Sequence, residues 1–475
     1  MLAALLIVSV LLLLGAALLA TDRRFSFITL LAGVLLFQNV FVMILLRFGL
    51  VSGTGTQILL SAKELLLILA LVFFASRRFG RTAVTGHFTY RLLPLLALTW
   101  IIAVAVHAVV FGAPWLPRMA GARAVVILPA LFILGYWLAS STHIVRHIVR
   151  LLIFTGVAIA MFGFLEAYVL PESFWLNIGH EEFYLEKINR PVQGELYNNM
   201  RYWLGGQPVR RVASITGDPL ISSYPMALLI VGVAAYYFSN FRFRFRHLLF
   251  VVPVAFATVL TLSRGALLTT TIAITLLFIA RKSARFMTAL TGIALVGLVL
   301  VVSTMGDSIL NFTTGAGHID QLVDGIKRGI ERPLGYGLGT ASSVATGVAR
   351  SSELEELVLG GGDSFMGSLA TQMGVPAMLA FYLLMLAMIY KLAWHFVRMQ
   401  RLDRPNAWWF GTSAAMLAGL LVTSAVNESG FGFVAAGLIY VWSGALHSIG
   451  EADYMLEQRS QQSSLQLESS GVAHA

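Results

Sequence analysis

The stretch HLLFVVPVAFATVLTLSRGALLTTTIAITLLFIA (residues 247–280) decides the fold, because it places one arginine between two strongly apolar runs. Arg264 stands at the seam, with small residues on either side of it. An arginine at the centre of a membrane helix costs at least ~2.5–3.5 kcal/mol, so it generally reaches the membrane surface, pairs or serves a function. The pattern predicts two membrane helices in a tight hairpin, with Arg264 at the tip.

The composition of the whole chain agrees with a membrane protein. The chain has 475 residues, of which 58% are hydrophobic and only 12% are charged. Soluble domains carry roughly 25% charged residues, so the sequence indicates a polytopic membrane protein. The net charge of +10 comes from short basic clusters between apolar runs, a pattern of membrane topology and not of nucleic-acid binding. The absence of cysteine excludes disulfides and thiolate catalysis.

Apolar stretches of ~17–25 residues can cross a bilayer as helices. The sequence therefore predicts an all-α fold with about thirteen transmembrane helices in one integral domain, residues 1–450. A polar tail, residues 451–475, is expected to be disordered and cytoplasmic. The predicted spans lie near 2–20, 25–46, 56–76, 92–111, 124–140, 150–170, 219–238, 247–262, 265–280, 286–304, 365–390, 407–425 and 431–448.

The distribution of Lys and Arg predicts which loops face the cytoplasm, since short cytoplasmic loops are rich in these residues. Basic clusters occupy one set of alternate connections, including 22–25, 77–81 and 281–285. The opposite set contains two long loops, at about 171–218 and 305–364, and the tip of the hairpin. We therefore expect both long loops and Arg264 on the outer side, where any chemistry takes place.

Three sets of charged residues are candidate functional groups on that side. Arg210 and Arg211 precede Asp218-Pro219 at the end of the first long loop, where they are either a solvated pair or ligands of an anion. Arg264 is either an arginine that extends to the membrane surface or a bidentate phosphate ligand. Lys63 and its neighbour Glu64 lie within a predicted span, where they are either counter-charges or the lining of a polar cavity.

The second long loop contains RPLGYGLGT (332–340) and GGGDSF (360–365). The glycines do not follow a strand in a βαβ unit, so a nucleotide site is not indicated; a close turn packed against the membrane helices is favoured. Asp363 and Ser364 stand at the start of a predicted span, in the position of a helix N-cap. The histidine of GHEEF (179–183) lacks a second ligand at metal spacing, and His143 and His147 are four apart but lie in a short basic connector predicted to be cytoplasmic, so no metal and no cofactor is predicted.

In this order, the motifs resemble those of the O-antigen ligase/polymerase superfamily of bacterial surface-polysaccharide assembly. The resemblance rests on RRVASITGDP (210–219), TLSRGA (261–266), RPLGYGLGT (332–340) and DSFMGSLATQMGVPAMLAF (363–381). It covers about residues 205–385, whereas the N-terminal half matches mainly as a series of spans. Lys63 is similar to a basic residue often found in that half.

The resemblance implies a glycosyltransferase that uses an undecaprenyl-pyrophosphate-linked glycan at the outer face of the bacterial inner membrane, without metal or nucleotide sugar. Ligases of this superfamily transfer the glycan to lipid A–core, and polymerases extend another lipid-linked repeat. Ligases typically carry a His-Asn-like pair where this chain has Asp363-Ser364, so a Wzy-type polymerase is favoured over a ligase. Partners expected through the family are a chain-length regulator and a flippase.

The resemblance and the charges together give roles to individual residues. Arg211 and Arg264 are expected to bind the pyrophosphate, with Lys63 or Arg210 completing the charge. Asp363 is the candidate base, with His318 or a glutamate of ELEE (353–356) as alternatives. An ion-coupled transporter or lipid flippase is the main alternative function, for which Lys63, Glu64 and Glu166 would be suited.

Overall fold

The structure is a computed structural model of the chain, and it is almost entirely helical. It describes residues 1–79, 92–111, 114–139, 141–171, 173–188, 200–204, 207–240, 245–310, 316–341, 359, 364–428 and 433–472. The helices α1 to α9 are Leu2–Ala20, Arg24–Arg47, Thr54–Leu60, Ala62–Phe79, Leu92–Val110, Trp115–Leu138, Thr142–Tyr168, Ser173–Asn177 and His180–Ile188.

A small hairpin separates these helices from the second half of the chain. Its strands are β1 (Arg201–Leu204) and β2 (Gln207–Arg210), which pair antiparallel with Arg201 opposite Arg210. The helices α10 to α17 follow and are Pro219–Asn240, Phe245–Leu260, Arg264–Ala280, Ala284–Leu310, Ala316–Glu331, Phe365–Arg401, Ala407–Thr423 and Phe433–Val472.

The length and apolar character of these helices confirm the prediction of an all-α multi-pass membrane protein. Within the described ranges, 7 helices are long and apolar enough to cross a membrane, or 8 if the bent pair α3–α4 is one span. Shorter apolar helices lie at Leu249–Leu260, Arg264–Ala280, Ala284–Gly297 and Ala407–Thr423. Each predicted span falls on a helix, while the larger number of about thirteen membrane crossings stays a prediction.

Glycines allow the central helices to pack closely. A Cβ on Gly135 of α6 would overlap the carbonyl oxygen of Val441 in α17, and a Cβ on Gly444 would overlap that of Phe132. Small residues at helix crossings let backbones approach in a membrane protein, where lipid supplies no hydrophobic force between helices. This close contact of α6 and α17 forms the middle of the bundle.

Three segments contain more regular structure than the sequence predicted. The first long loop contains α8, α9 and the two-stranded sheet, and the second contains α14. The tail was expected to be disordered, but α17 continues through it to Val472. The tail has no Pro and only one Gly before residue 472, so it has no strong helix breaker where the apolar segment ends.

The glycine-rich segment 332–340 docks into a break in helix α15. The break is at Gly374, which has φ 81° and ψ 164° and lies two residues before Pro376. The backbone N–H groups of Tyr336 and Gly337 donate to the carbonyls of Thr371 and Gln372 at 2.9 and 3.0 Å. The prediction of a close turn packed against the membrane helices is confirmed, and the turn replaces hydrogen bonds that α15 loses at its break.

Candidate functional site

The hairpin tip that carries Arg264 is the centre of the candidate site. Helix α11 ends at Leu260 and α12 begins at Arg264, so the arginine occupies the first position of the second helix. Ser263 caps α12, with its hydroxyl accepting from the N–H of Ala266 at 3.4 Å. Leu262 has a positive φ of 48°, which turns the chain sharply. Arg264 is exposed and lies beside the positive end of the α12 dipole.

Arg211 is held against this tip by the end of the first long loop. Its Nε donates to the carbonyl of Thr261 at 2.9 Å, three residues before Arg264, and its side chain is largely buried. The N–H of the next residue, Val212, donates to the carbonyl of Leu260 at 3.2 Å. Burial lowers the pKa of Arg211, while the Asp218 carboxylate opposes that shift. The structure therefore brings together two of the arginines that the sequence singled out.

Arg210 points to a different partner and has a structural role. Its guanidinium forms an ion pair with Glu166 at 3.4 Å and donates to the carbonyl of Leu170 at 3.2 Å. Glu166 is fully buried and also accepts from the indole N–H of Trp175 at 2.8 Å and the backbone N–H of Ser214 at 2.6 Å. This carboxylate ties the end of α7 to the loop that carries Arg211. These contacts favour a positioning role for Arg210, and its binding of pyrophosphate stays a prediction.

Lys63 is also engaged within the protein. Its ammonium donates to the side chain of Gln38 at 3.0 Å and to the carbonyl of Leu60 at 2.6 Å, and Glu64 is 3.6 Å away. Glu64 in turn lies 3.3 Å from Arg123. Leu60 is the last residue of α3, so Lys63 satisfies a carbonyl at the bend between α3 and α4. Of the two alternatives left open by the sequence, this geometry favours the structural counter-charge.

The start of α15 lies close to the same region. Ser364 caps this helix, because its hydroxyl accepts from the N–H of Gly367 at 3.0 Å. The same hydroxyl donates to the carbonyl of Ala425, just beyond α16, at 2.6 Å. The N-cap prediction is confirmed for Ser364. Asp363, the candidate base, lies outside the described residues, as do the glutamates of 353–356.

His318 is placed on the first turn of α14, whose middle packs on the first turn of α15. A Cβ on Gly367 would overlap the carbonyl oxygen of Gln321 and would lie 3.0 Å from the Cα of Leu322. His318 is three positions before Gln321, so the backbone of His318 is within one helical turn of this contact. The side chain of His318 lies outside the part of the chain that the structure describes.

Two residues of this site, Asn427 and Tyr224, were not predicted from the sequence. Asn427, just beyond α16, donates to the hydroxyl of Tyr224 on α10 at 3.1 Å. A Cβ on Gly265 would overlap the amide nitrogen of Asn427, so a glycine is needed beside Arg264 for this approach. The sequence does carry a signal, because Asn427 and Glu428 are polar residues directly after an apolar span on the predicted outer side.

Four helix ends therefore meet around the hairpin tip. Segment 424–427 joins them, since the carbonyl of Ala425 accepts from Ser364 while Asn427 packs on Gly265. The N-termini of α12 and α15 and the guanidinium groups of Arg211 and Arg264 all contribute positive potential to one end of the bundle. Such an arrangement favours an anionic group, above all one with several oxygens, since guanidinium binds phosphate through paired hydrogen bonds.

Comparison with known proteins adds no relative to this picture. No model of a known protein family matches the chain, and no curated protein matches it either. The geometry of the hairpin tip and the order of the sequence motifs therefore remain as the observations that bear on function.

Proposed function

We propose that the protein is a membrane glycosyltransferase that polymerises undecaprenyl-pyrophosphate-linked oligosaccharide repeats at the outer face of a bacterial inner membrane. In this proposal the chain crosses the membrane about thirteen times, and the loops 171–218 and 305–364 face the periplasm. The product is a surface polysaccharide such as O-antigen, capsule or exopolysaccharide. The resemblance in motif order supplies the reaction class, and the hairpin tip supplies the chemistry.

The observation that carries the proposal is the placement of Arg211 against the hairpin that begins α12. The Nε–H of Arg211 donates to the carbonyl of Thr261, and this hydrogen bond fixes the orientation of the guanidinium. Arg264 is exposed at the same tip. A lipid-linked pyrophosphate presents its charge at the membrane surface, which is the predicted depth of this tip. Two arginines at that depth, of which Arg211 is held by its bond to Thr261, suit the headgroup of such a lipid.

The proposed reaction is a direct displacement at the anomeric carbon of the donor. The acceptor hydroxyl oxygen forms a bond to that carbon while the bond from the carbon to the pyrophosphate oxygen breaks. The electron pair leaves with the pyrophosphate, and the acceptor proton passes to a base. Because negative charge develops on the leaving group, cations fixed before the reaction lower the barrier more than mobile ones. We assign that function to Arg211 and Arg264.

The base in this proposal is Asp363, which directly precedes Ser364 at the start of α15. Ser364 donates to the carbonyl of Ala425, and Asn427 of the same segment packs on Gly265 beside Arg264, so the start of α15 lies close to the proposed donor site. His318 is the alternative, because α14 packs on the same turn of α15. A weak base is sufficient when departure of the leaving group is advanced in the transition state.

The transporter alternative loses support from the contacts of its charged residues. Lys63, Glu64 and Glu166 are the intramembrane groups that favoured ion coupling, and Glu64 lies 3.6 Å from Lys63 and 3.3 Å from Arg123. Lys63 donates to Gln38 and Leu60, and Glu166 accepts from Trp175 and from two backbone N–H groups near Ser214. These bonds account for both residues as stabilising elements at a helix bend and a helix end.

The test is reconstitution of the purified protein with a defined undecaprenyl-pyrophosphate oligosaccharide, without added metal or nucleotide. We expect a ladder of products that differ by one repeat, all on the same lipid. Transfer that occurs only after addition of lipid A–core would make the protein a ligase, and no transfer to either acceptor would refute the proposal. A chain-length regulator, if it is a partner, should change the distribution of the ladder and leave the linkage unchanged.

A further inference from the structure

A second cluster of polar side chains lies far from the hairpin tip, between α15 and α17. His395 on α15 and His447 and Glu451 on α17 are all buried. His395 is 21 residues beyond the break at Gly374, which corresponds to roughly 30 Å along a helix. The cluster therefore belongs to the opposite end of the bundle, near the basic residues predicted to face the cytoplasm.

The three side chains direct potential metal ligands at one point. His395 Nε2 lies 3.5 Å from Glu451 Oε1, and His447 Nδ1 lies 3.9 Å from the same oxygen. One ligand atom from each residue can be chosen so that all three lie within 4.8 Å of one another. In a zinc site with bonds of ~2.0–2.1 Å, tetrahedral ligands are about 3.4 Å apart. The ligand atoms therefore lie up to about 1.4 Å farther apart than in a metal-bound site, a gap that binding would have to close.

The hydrogen bonding of the cluster is incomplete. Among the described residues, His395 Nδ1, both ring nitrogens of His447 and Glu451 Oε2 have no hydrogen-bond partner, whereas His395 Nε2 faces Glu451 Oε1 at 3.5 Å. Buried polar atoms without partners are rare, and an ion is one of the recognised reasons for them. Lys391 lies 3.4 Å from Glu451 Oε1, which leaves Oε2 available.

The packing around the cluster holds the imidazole rings in place. A Cβ on Gly450 would lie 2.8 Å from His395 Nδ1, so glycine is required where α17 passes this ring. His447 stacks on Phe132 at a ring separation of 5.9 Å, and His395 contacts Phe410 at 5.5 Å. Lys391 is about one-third exposed, so the carboxylate is close to a route from the surface.

The geometry points to a binding site for one divalent transition-metal ion, with zinc the best match, formed by His395, His447 and Glu451. Two imidazoles and one carboxylate are ligands that zinc accepts, with a fourth position left for water. The ion would link α15 to α17 at the end of the bundle away from the proposed reaction. Sequence spacing predicted no metal site, because α15 and α17 contribute their ligands from positions 52 and 56 residues apart.

The test uses the full chain, purified with a histidine-free affinity tag, stripped with chelator and titrated with Zn²⁺ or Co²⁺. We expect one ion per chain, the absorption spectrum of four-coordinate Co²⁺, and a rise in the melting temperature with Zn²⁺. His395→Gln and His447→Gln should each weaken binding by more than ~100-fold, since even outer-shell partners contribute about 10–100-fold. His143→Gln changes an exposed histidine and is the matched control.

Two outcomes would overturn the inference. The first is that the wild-type chain binds neither ion stoichiometrically, a result that does not depend on how the variants fold. The second is that a folded His395→Gln/His447→Gln double variant keeps the Co²⁺ spectrum of the wild type. The glycosyltransferase proposal is tested separately by the repeat ladder, because the cluster is remote from Arg211 and Arg264.

Discussion

Replacement of Gly265 by alanine tests the arrangement of helices around the hairpin tip. The added Cβ would overlap Asn427 Nδ2, and it would lie 3.0 Å from Asn427 Cγ and 3.1 Å from the hydroxyl oxygen of Tyr224. Comfortable contacts of carbon with heavy atoms are at ~3.5–4.0 Å. The amide of Asn427 therefore has to move by roughly 1 Å or more, and its 3.1 Å hydrogen bond to Tyr224 is lost.

The size of the effect follows from these contacts. Loss of the hydrogen bond costs about 0.5–1.5 kcal/mol and overpacking costs about 1–3 kcal/mol. Alanine returns up to ~1 kcal/mol, because it forms helix more readily than glycine. The free energy of unfolding should fall by about 1–3 kcal/mol after these contributions are combined. A displacement of ~1 Å beside Arg264 should also lower the polymerisation rate by roughly 100-fold.

The measurement combines the repeat-ladder assay with thermal unfolding in detergent. Gly33→Ala is the matched control, because a Cβ there meets nothing within 4 Å. The double variant Gly265→Ala/Asn427→Ala removes the overlapping amide, so its melting temperature should exceed that of Gly265→Ala. If Gly265→Ala matches Gly33→Ala in both rate and melting temperature, the close approach of Asn427 to α12 is wrong.

Four further substitutions test the assigned roles. Arg264→Lys and Arg211→Lys should each reduce ladder formation at least tenfold at unchanged protein level, because lysine lacks the guanidinium fork; wild-type rates for both would refute the pyrophosphate clamp. Asp363→Asn should slow transfer more than it weakens donor binding, measured by single-turnover kinetics against donor titration, and an unchanged rate would move the base to another residue. Glu166→Gln should lower the free energy of unfolding by about 3 kcal/mol, since it leaves Arg210 without its carboxylate; an unchanged melting temperature would contradict that role.

The features that the sequence predicted correctly are local ones. The apolar runs on either side of Arg264 are long enough to form helices, and Ser364 stands at the predicted N-cap position. The glycines of 332–340 predicted a turn, and the positive φ of Gly335, Gly337 and Gly339 agrees with it because such φ values exclude a regular helix or strand. Each of these inferences needs only the chemistry of adjacent residues.

The features that the sequence could not show depend on pairs of distant residues. Arg210 was grouped with Arg211 because the two are neighbours in the sequence. In the structure they contact different partners, since Arg210 at the end of β2 binds Glu166 and Arg211 in the following loop binds the carbonyl of Thr261. Glu166 lies 44 residues before Arg210, and Asn427 lies 162 residues after Gly265. Periodicity says which face of a helix is apolar, but not which helix will cover it. The same limit applies to the ligands on α15 and α17.

The docked glycine segment has a consequence for the order in which the protein is made. Gly339 lies between the start of α6 and α15. A Cβ on Gly339 would overlap the carbonyl of Pro117 in α6, and the N–H of Gly339 donates to the side-chain oxygen of Gln372 in α15 at 2.8 Å. Synthesis delivers α6 first, the glycine segment later and α15 last, so the segment waits undocked until α15 enters the bilayer. Full docking of the glycine segment is therefore a late event in biogenesis, because a nascent chain shorter than about residue 375 lacks the α15 carbonyls to which Tyr336 and Gly337 donate.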